Sequence, residues 1–364
     1  MKILIIIGTR PEAIKMAPLV LELRRRPNCE LKVCFTGQHP DIVRGILDFF
    51  EIVPDYSFQI VNATLCDLSA EILLRMNELF RAWRPDLLLV QGDTNSVLAA
   101  ALSAFYNKVK VGHVEAGLRT FDKMSPFPEE MNRVLVSRIA DWHFAPTGIS
   151  RQNLLNEGIA DRSIFVTGNP VIDAQRFVLG KLKTCPDELA PVDWNRKLVL
   201  VTCHRRENQQ GGIAEVCGAL KELARRSDIQ IIYPVHPNPN VRNPVESLLS
   251  GVDHIWLSPP LDYLPFTYLM RRSTVILTDS GGVQEEASAL GKPIVLLRTA
   301  TERPEILGMT TVRVTGTDCE KIVQAATEFL DAPGKDAGNG KKLFGDGDAA
   351  RKIADIVLAT GTAL

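Results

Sequence analysis

Several short stretches of this 364-residue chain carry residues able to hold an anion or move a proton. At positions 279 to 293, DSGGVQEEASALGKP follows the apolar run STVIL and precedes a second one, PIVLLR. Ser280, Gly281 and Gly282 at a helix start would present free backbone N–H groups and the positive end of the helix dipole to an anion. The glycines let backbone approach such a ligand closely. Glu286, one turn further in, suits hydroxyl groups, so a carboxylate belongs here if the ligand carries both phosphate and sugar. The same residue types also suit an ordinary capped helix with Ser280 as N-cap. Neither the GxxxxGK[ST] loop nor the GxGxxG fingerprint occurs, which argues against nucleoside-triphosphate hydrolysis and dinucleotide redox chemistry.

Other stretches add to this one. In GTRPEAIKMAPL, Arg10 and Lys15 sit at a strand-to-helix corner with Pro11 near the first helical position, a pair of cations suited to phosphate or to a solvated helix start. QGDTNS sets Asp93 at a strand end, where it is either functional or an N-cap. VEAGLRTFDKMSPFPEEMNR gathers Glu115, Arg119, Glu129, Glu130 and Arg133 within twenty residues, a concentration that a solvated loop would also show. VTCHRREN ends a strand on His204, which titrates near neutral pH, beside Arg205 and Arg206. VHPNPN offers His236 in a similar place with less company, and LRTATERPE adds Arg298, Glu302 and Arg303.

The elements that must position these residues are short continuous apolar runs alternating with helix-length segments. KILIIIG, LKVCFTG, DLLLVQGD, VKVGHVEAG, DWHFAP and SIFVTGN fill the first half; KLVLVTCH, IQIIYPVH, HIWLSPP, TVILTDSG and PIVLLR fill the second. Continuous apolar strands indicate sheets buried on both faces, and the alternation indicates parallel βαβ units. The expected fold class is α/β, two Rossmann-like doubly wound domains, at residues 1–168 and 169–347. AARKIADIVLAT forms a closing helix in 348–364 that packs back on the first domain. DAPGKDAGNGKKLFGDGDAA, just before it, reads as a surface loop. In open parallel sheets ligands sit beyond the carboxyl ends of the strands. Nearly every candidate residue lies there, so two facing domains would line one central cleft.

Bulk composition narrows the classes further. Lys and Arg number 42 against 43 Asp and Glu, a net charge of −1, so no global field points to nucleic acid or a membrane surface. The apolar runs fall short of the roughly 18–20 residues of a membrane helix. The start reads as a first strand rather than a signal peptide. Seven scattered cysteines without a CxxC pair argue for a reducing compartment and against a zinc site or disulfide framework.

Taken in order, GTRPEAIKMAPL, GQH, QGDTNS, HVEAGLRT, PFPEEMNR, HFAPT, VTGNPVIDA, VTCHRREN, HPNPNV, DSGGVQEEA, ERPE and FGDGDAARKI resemble the non-hydrolysing UDP-N-acetylglucosamine 2-epimerases from residue 1 to about 358. The resemblance implies the glycosyltransferase-B arrangement, a homodimer, a cytoplasmic role in supplying UDP-N-acetylmannosamine for surface glycans, and neither cofactor nor metal. It implies that UDP leaves C1 as C2 loses its proton, giving a 2-acetamidoglucal, and then adds back. By motif, Arg10 and Lys15 match the phosphate-side cations; Asp93, Glu115 and Glu129 the catalytic carboxylates, with Arg133 in the same motif. His204 matches the active-site histidine and Arg303 an active-site arginine. Ser280, Gly281, Gly282 and Glu286 match the UDP-binding segment, with His236 as a further substrate contact and Phe266 near uracil. Three neighbouring carboxylates should repel, so at least one is expected to start protonated.

The chain departs from the family pattern in three places. Cys203 replaces a glycine beside His204, Pro40 and Asp41 replace a polar pair after GQH, and IVNATLCDLSAEIL is shortened and lacks a basic residue. The last two imply that activation by a second UDP-sugar is weakened or absent. Competing readings are a hydrolysing epimerase releasing N-acetylmannosamine, an epimerase for a 3-acetamido or uronate sugar, a glycosyltransferase, and a silent UDP-sugar sensor.

Overall fold

The structure is a computed structural model and describes residues 1–37, 40–60, 64–209, 211–299, 301–332 and 342–361. Gln38, His39, Val61, Asn62, Ala63 and the side chains of Pro40 and Asp41 lie outside the described residues, and with them part of the sequence departures that bear on activation. Residues 333–341 of the 331–350 segment lie outside them too.

The chain divides into two compact units, residues Met1–Ala174 with Phe344–Leu364, and Gln175–Leu343. The first unit runs β1 (Lys2–Ile7), α1 (Arg10–Arg24), β2 (Glu30–Phe35), α2 (Pro40–Phe49), β3 (Tyr56–Ser57), α3 (Leu65–Ala82), β4 (Leu87–Gln91), α4 (Asn95–Tyr106), β5 (Lys110–Val114), α5 (Glu129–Ile139), β6 (Trp142–Ala145), α6 (Gly148–Asn156) and β7 (Ile164–Val166). Helix α7 (Pro170–Lys181) crosses the division. The second unit continues with β8 (Lys197–Thr202), α8 (Gly212–Leu223), β9 (Ile229–Pro234), α9 (Pro239–Leu249), β10 (Ile255–Ser258), α10 (Tyr263–Arg272), β11 (Val275–Thr278), α11 (Gly281–Ala289), β12 (Ile294–Leu296), β13 (Val312–Val314) and α12 (Cys319–Asp331). Helix α13 (Ala349–Gly361) returns to the first unit.

Among the described residues each unit holds one sheet, all of whose ladders are parallel. The strand orders are β3-β2-β1-β4-β5-β6-β7 and β10-β9-β8-β11-β12-β13. These are two doubly wound α/β sheets of the same topology, as their continuous apolar strands indicate. Ile3 to Ile7 and Leu198 to Val201 are buried because helices cover both faces. In each sheet the order reverses between two central strands, β1 and β4 in the first and β8 and β11 in the second. The carboxyl ends of those four strands are where a ligand would sit.

Helix α1 shows why the last segment returns. Its buried residues occupy nearly the whole circumference, from Ala13 and Ile14 through Met16, Leu19 and Leu23. One sheet face cannot cover such a helix; α13 packs on its other side. Two contacts hold the return. Asp173 accepts hydrogen bonds from the first N–H groups of α13, at Ala349 and Ala350 (3.2 and 2.9 Å). Gly168, with φ of 87°, lies so close to Gly345 that an added Cβ would be 2.9 Å from its Cα. Only glycine tolerates both that conformation and that approach. No helix among the described residues is long and apolar enough to cross a membrane.

Candidate functional site

At the carboxyl end of β1 the chain turns through Gly8 and Thr9 into α1. Glu12 in the first turn of that helix is buried, and its carboxylate folds back to accept from Gly8 N–H (2.5 Å) and the Thr9 hydroxyl (3.1 Å). It also accepts from the hydroxyl of Thr94 (2.8 Å), the N-cap of α4 after β4. One carboxylate therefore ties together the two loops that flank the sheet reversal. Burial pushes Glu12 up from 4.5 to about 7, against the lowering effect of its hydrogen bonds. The sequence reading passed over Glu12. Thr9-x-x-Glu12 is a capping-box spacing, and that pattern was the available signal.

Lys15, one turn further along, is buried and pairs with Glu115, its Nζ lying 2.7 and 2.6 Å from the two carboxylate oxygens. Glu115 accepts in addition from Asn169 Nδ2 (3.1 Å) and from Gln91 Nε2. Gln91 and Asn169 lie within QGDTNS and VTGNPVIDA, segments the motifs include, although neither residue was assigned a role there. Glu115 itself has φ of 63°. A non-glycine residue held there costs about 1–3 kcal/mol and persists only where its surroundings enforce it. Arg10, half-buried, opens α1 beside this cluster.

Asp93 follows β4 and meets Arg133 of α5, Oδ2 to Nη2 at 2.6 Å. Arg133 also lies 3.3 Å from Glu130, one turn earlier on the same helix. The adjacent glutamates at the start of α5 have different partners. Glu130 accepts from the N–H groups of Thr120 and Phe121 (both 3.0 Å) and so fixes the preceding loop. Glu129 is half-buried; its Oε2, like Oε2 of Glu130, is buried without a hydrogen-bond partner among the described residues, but only that of Glu130 faces Arg133. Arg119 is turned elsewhere, onto Glu157 (2.6 and 2.8 Å) and Ser137 (3.1 Å). Two of the three expected catalytic carboxylates, Asp93 and Glu115, thus each have a cation in contact.

The second unit repeats the plan with a different carboxylate. Asp279, fully buried at the end of β11, accepts at Oδ2 from the N–H groups of His204 and Arg205 (2.8 Å each) and from Asn208 Nδ2 (2.9 Å). His204 stacks on His236, with ring centroids 5.3 Å apart and planes within 13°. Burial holds His204 below its ordinary value, with His236 and Arg205 adding to that and the Asp279 charge opposing it. Cys203 is buried in the core of this unit. Its thiol is pushed well up by burial and then by the Asp279 charge.

Ser280 caps α11 with extended backbone and makes no side-chain cap bond, and the first N–H groups of the helix have no intrahelical acceptor. Across this helix start lies Arg303. A Cβ built on Gly281 would be 2.3 Å from its Nη1, so glycine is required for the guanidinium to occupy that place. Arg303 donates from Nε to Glu285 (2.6 Å) and lies 3.5 Å from Glu302, which also receives Arg298 (2.9 Å). Glu286 accepts from the Tyr263 hydroxyl (2.8 Å). The helix end therefore bears carboxylates because Glu285 anchors the arginine and Glu286 faces α10. Gly282 follows in the first turn, and Phe266 is half-buried on α10. Helix end and guanidinium together present N–H donors of the kind that suit an anion. Among the described residues no group of three or more His, Cys, Asp or Glu could hold a metal ion.

The family described as UDP-N-acetylglucosamine 2-epimerase matches residues 21–358. A UDP-N-acetylglucosamine 2-epimerase of Yersinia pestis is 47% identical over 97% of this chain and 97% of its own. The enzyme of the same name from Escherichia coli K12 is 47% identical over 98% of each chain. The crystal structure of UDP-GlcNAc 2-epimerase from Neisseria meningitidis, bound to UDP-GlcNAc, superposes with a TM-score of 0.93 at 42% identity. That match covers 99% of this chain and 100% of that one.

Two expectations follow from the geometry. Glu12, raised in the folded state, contributes stability that is fully present below about pH 4.5 and is lost as pH rises through about 7. Urea titrations from pH 4 to 8 should show wild type losing up to roughly 3 kcal/mol relative to Glu12→Gln across that window; parallel curves would show that Glu12 does not titrate there. Gly281→Ala should displace Arg303 and weaken inorganic pyrophosphate binding about 10- to 100-fold by calorimetry. Unchanged affinity would remove this helix end from the anion site.

Proposed function

Because the chain belongs to the UDP-N-acetylglucosamine 2-epimerase family, we propose that it reversibly inverts C2 of UDP-N-acetylglucosamine, giving UDP-N-acetylmannosamine, by the non-hydrolysing route. The observation that carries this reading is the guanidinium of Arg303 laid across the N-terminus of α11 at Gly281. It is charge preassembled for a diphosphate, next to a strand end rather than in a nucleotide-hydrolysing loop.

The C2 proton of such a sugar is not acidic, so simple deprotonation would leave an unstabilised carbanion. Breaking the C1–O bond in the same step avoids it. The proton passes from C2 to a protein base, the C–H electron pair becomes the C1–C2 double bond, and the C1–O pair leaves on the β-phosphate of UDP. Protonation of C2 from the opposite face, with UDP returning to C1, completes the inversion. No electrons are exchanged with a cofactor. The demands are for stabilisation of the departing diphosphate, supplied by Arg303 and the α11 amides with Arg10 and Lys15 as further cations, and for acid–base groups. Asp93, Glu115, Glu129 and His204 supply the latter. Among these four, Glu129 keeps a buried oxygen without a hydrogen-bond partner among the described residues, and the Lys15–Glu115 pair offers a carboxylate whose charge is already answered. Ser280, Glu286, His236, Phe266 and Arg133 complete the substrate-binding set. Glu286 takes the ribose hydroxyls and Phe266 lies near the uracil.

The enzyme works as a homodimer, joined through the face formed by α3, α4 and α5. Helix α4 packs between the other two, and Leu74, Phe105, Tyr106, Met131 and Leu135 on these helices are exposed. Exposed large apolar side chains gathered on packed helices suit an interface.

Incubation with UDP-N-acetylglucosamine in deuterated water should place deuterium at C2 of both epimers without net loss of UDP-sugar, read by mass and proton spectra. Free N-acetylmannosamine and UDP as the main products would sink the non-hydrolysing reading. Replacing both Phe105 and Leu135 by Glu should convert a dimer into a monomer by sedimentation velocity; a wild type that is already monomeric would refute the interface.

A further inference from the structure

The geometry points to Asp279 as the positioning residue for His204, holding the neutral imidazole with its proton on Nδ1 and its lone pair on Nε2. Asp279 is fully buried. Its two oxygens are used unequally. Oδ2 receives three N–H donors, from His204, Arg205 and Asn208. Oδ1 is buried and has no hydrogen-bond partner among the described residues. His204 Nδ1 lies 3.6 Å from that oxygen, a separation that a small rotation of the ring closes to hydrogen-bonding distance.

An orphaned buried carboxylate oxygen is costly, and a donor that can reach it is drawn to it. The groups around it leave His204 as the strongest candidate. Asn208 spends its amide on Oδ2 and on the carbonyl of Leu297 (3.2 Å). Cys203 is held neutral by burial and then by the Asp279 charge, and its S–H also donates to that carboxylate, but a thiol is a weak donor and satisfies an ionised oxygen poorly beside an imidazole N–H. The Tyr233 hydroxyl is committed to the carbonyl of Cys203 (2.8 Å). On the far side of the ring, His236 accepts at Nδ1 from Asn238 N–H (3.1 Å) and meets His204 only by stacking. The charge of Arg205 opposes protonation of His204. Asp279 is therefore the group that opposes the neighbouring imidazole and guanidinium and keeps His204 able to take up a proton at Nε2. Because its other oxygen grips the backbone N–H of the same histidine, one carboxylate sets both the place of His204 and its tautomer.

The kinetic part of this inference rests on the epimerase reading; the tautomer does not, so the test has two arms. In the full chain, nitrogen-15 shifts of His204 should report Nδ1–H in the neutral wild-type enzyme, whatever the reaction proves to be. In Asp279→Asn, the carbonyl oxygen can still accept from the same three N–H donors while its NH2 group faces Nδ1. The tautomer should then invert to Nε2–H, and the His204 titration should fall by about one unit or more as the carboxylate charge is lost. With UDP-N-acetylglucosamine the variant should bind UDP within about threefold of wild type while kcat falls about 10²–10⁴-fold, and the acid limb of its pH profile should move down with the histidine. Nε2–H in the neutral wild type overturns the proposal without any variant, so a misfolded Asp279→Asn cannot shelter it. An inverted tautomer with kcat unchanged removes the catalytic consequence. Absence of epimerisation in the wild type sinks the functional reading alone and leaves the tautomer to be decided by its own arm.

Discussion

Each sheet is pinned at its reversal by a single buried carboxylate answered by donors from the loops on both sides. Glu12 joins the loop after β1 to Thr94 after β4, and Asp279, after β11, joins the loop after β8. At such a reversal the adjacent strands send their helices to opposite faces, so the loops diverge and leave polar backbone exposed at the bottom of a crevice. A carboxylate in low dielectric holds N–H and O–H donors more firmly than it would in water. Losing it would strand several donors at about 1–3 kcal/mol each. The two units use the same device from opposite ends of the loop pair, with the carboxylate on the helix in one and on the strand end in the other.

The charged side chains built on those clamps are arranged for placement rather than for stability. Lys15 with Glu115 and Arg303 with Glu285 are buried pairs at 2.6 Å. The desolvation of two ions largely cancels their attraction. What the pairs provide is a guanidinium held across a helix end and a carboxylate held in a strained backbone conformation at Glu115. An arginine on a long flexible stem would otherwise lose rotamer entropy on meeting a ligand; Glu285 and Glu302 have already fixed it. This also accounts for acidic residues beside an anion site.

Much of the fold was legible from the chain alone. Runs such as KILIII and LVLV, apolar without alternation, require helices on both sheet faces, and strand–helix alternation requires parallel order. The site was legible in outline because strand ends such as QGDT and TDSGG carry polar and glycine residues where an interior strand would not. Glu12 and Asp279 carry no local signal of their roles in joining distant loops. Glu12 is an acidic residue in a first helical turn and Asp279 directly precedes the N-cap Ser280, positions at which a carboxylate is common for local reasons alone. Their partners, Thr94 and His204, lie 82 and 75 positions away. Glu129 and Glu130, identical in type and adjacent, could not be told apart until the helix carrying them was set against its loop.

By itself the sequence determined the two α/β sheets, the strand ends that carry the chemistry, and the kinds of residue available there, because apolar periodicity and glycine placement act over a few residues. Only the tertiary structure decided which carboxylate meets which cation, which glutamate clamps a loop, and that Asp279 faces His204. Those outcomes depend on contacts between segments far apart in the chain, and on burial, which changes the energy of a charge by more than any local preference does.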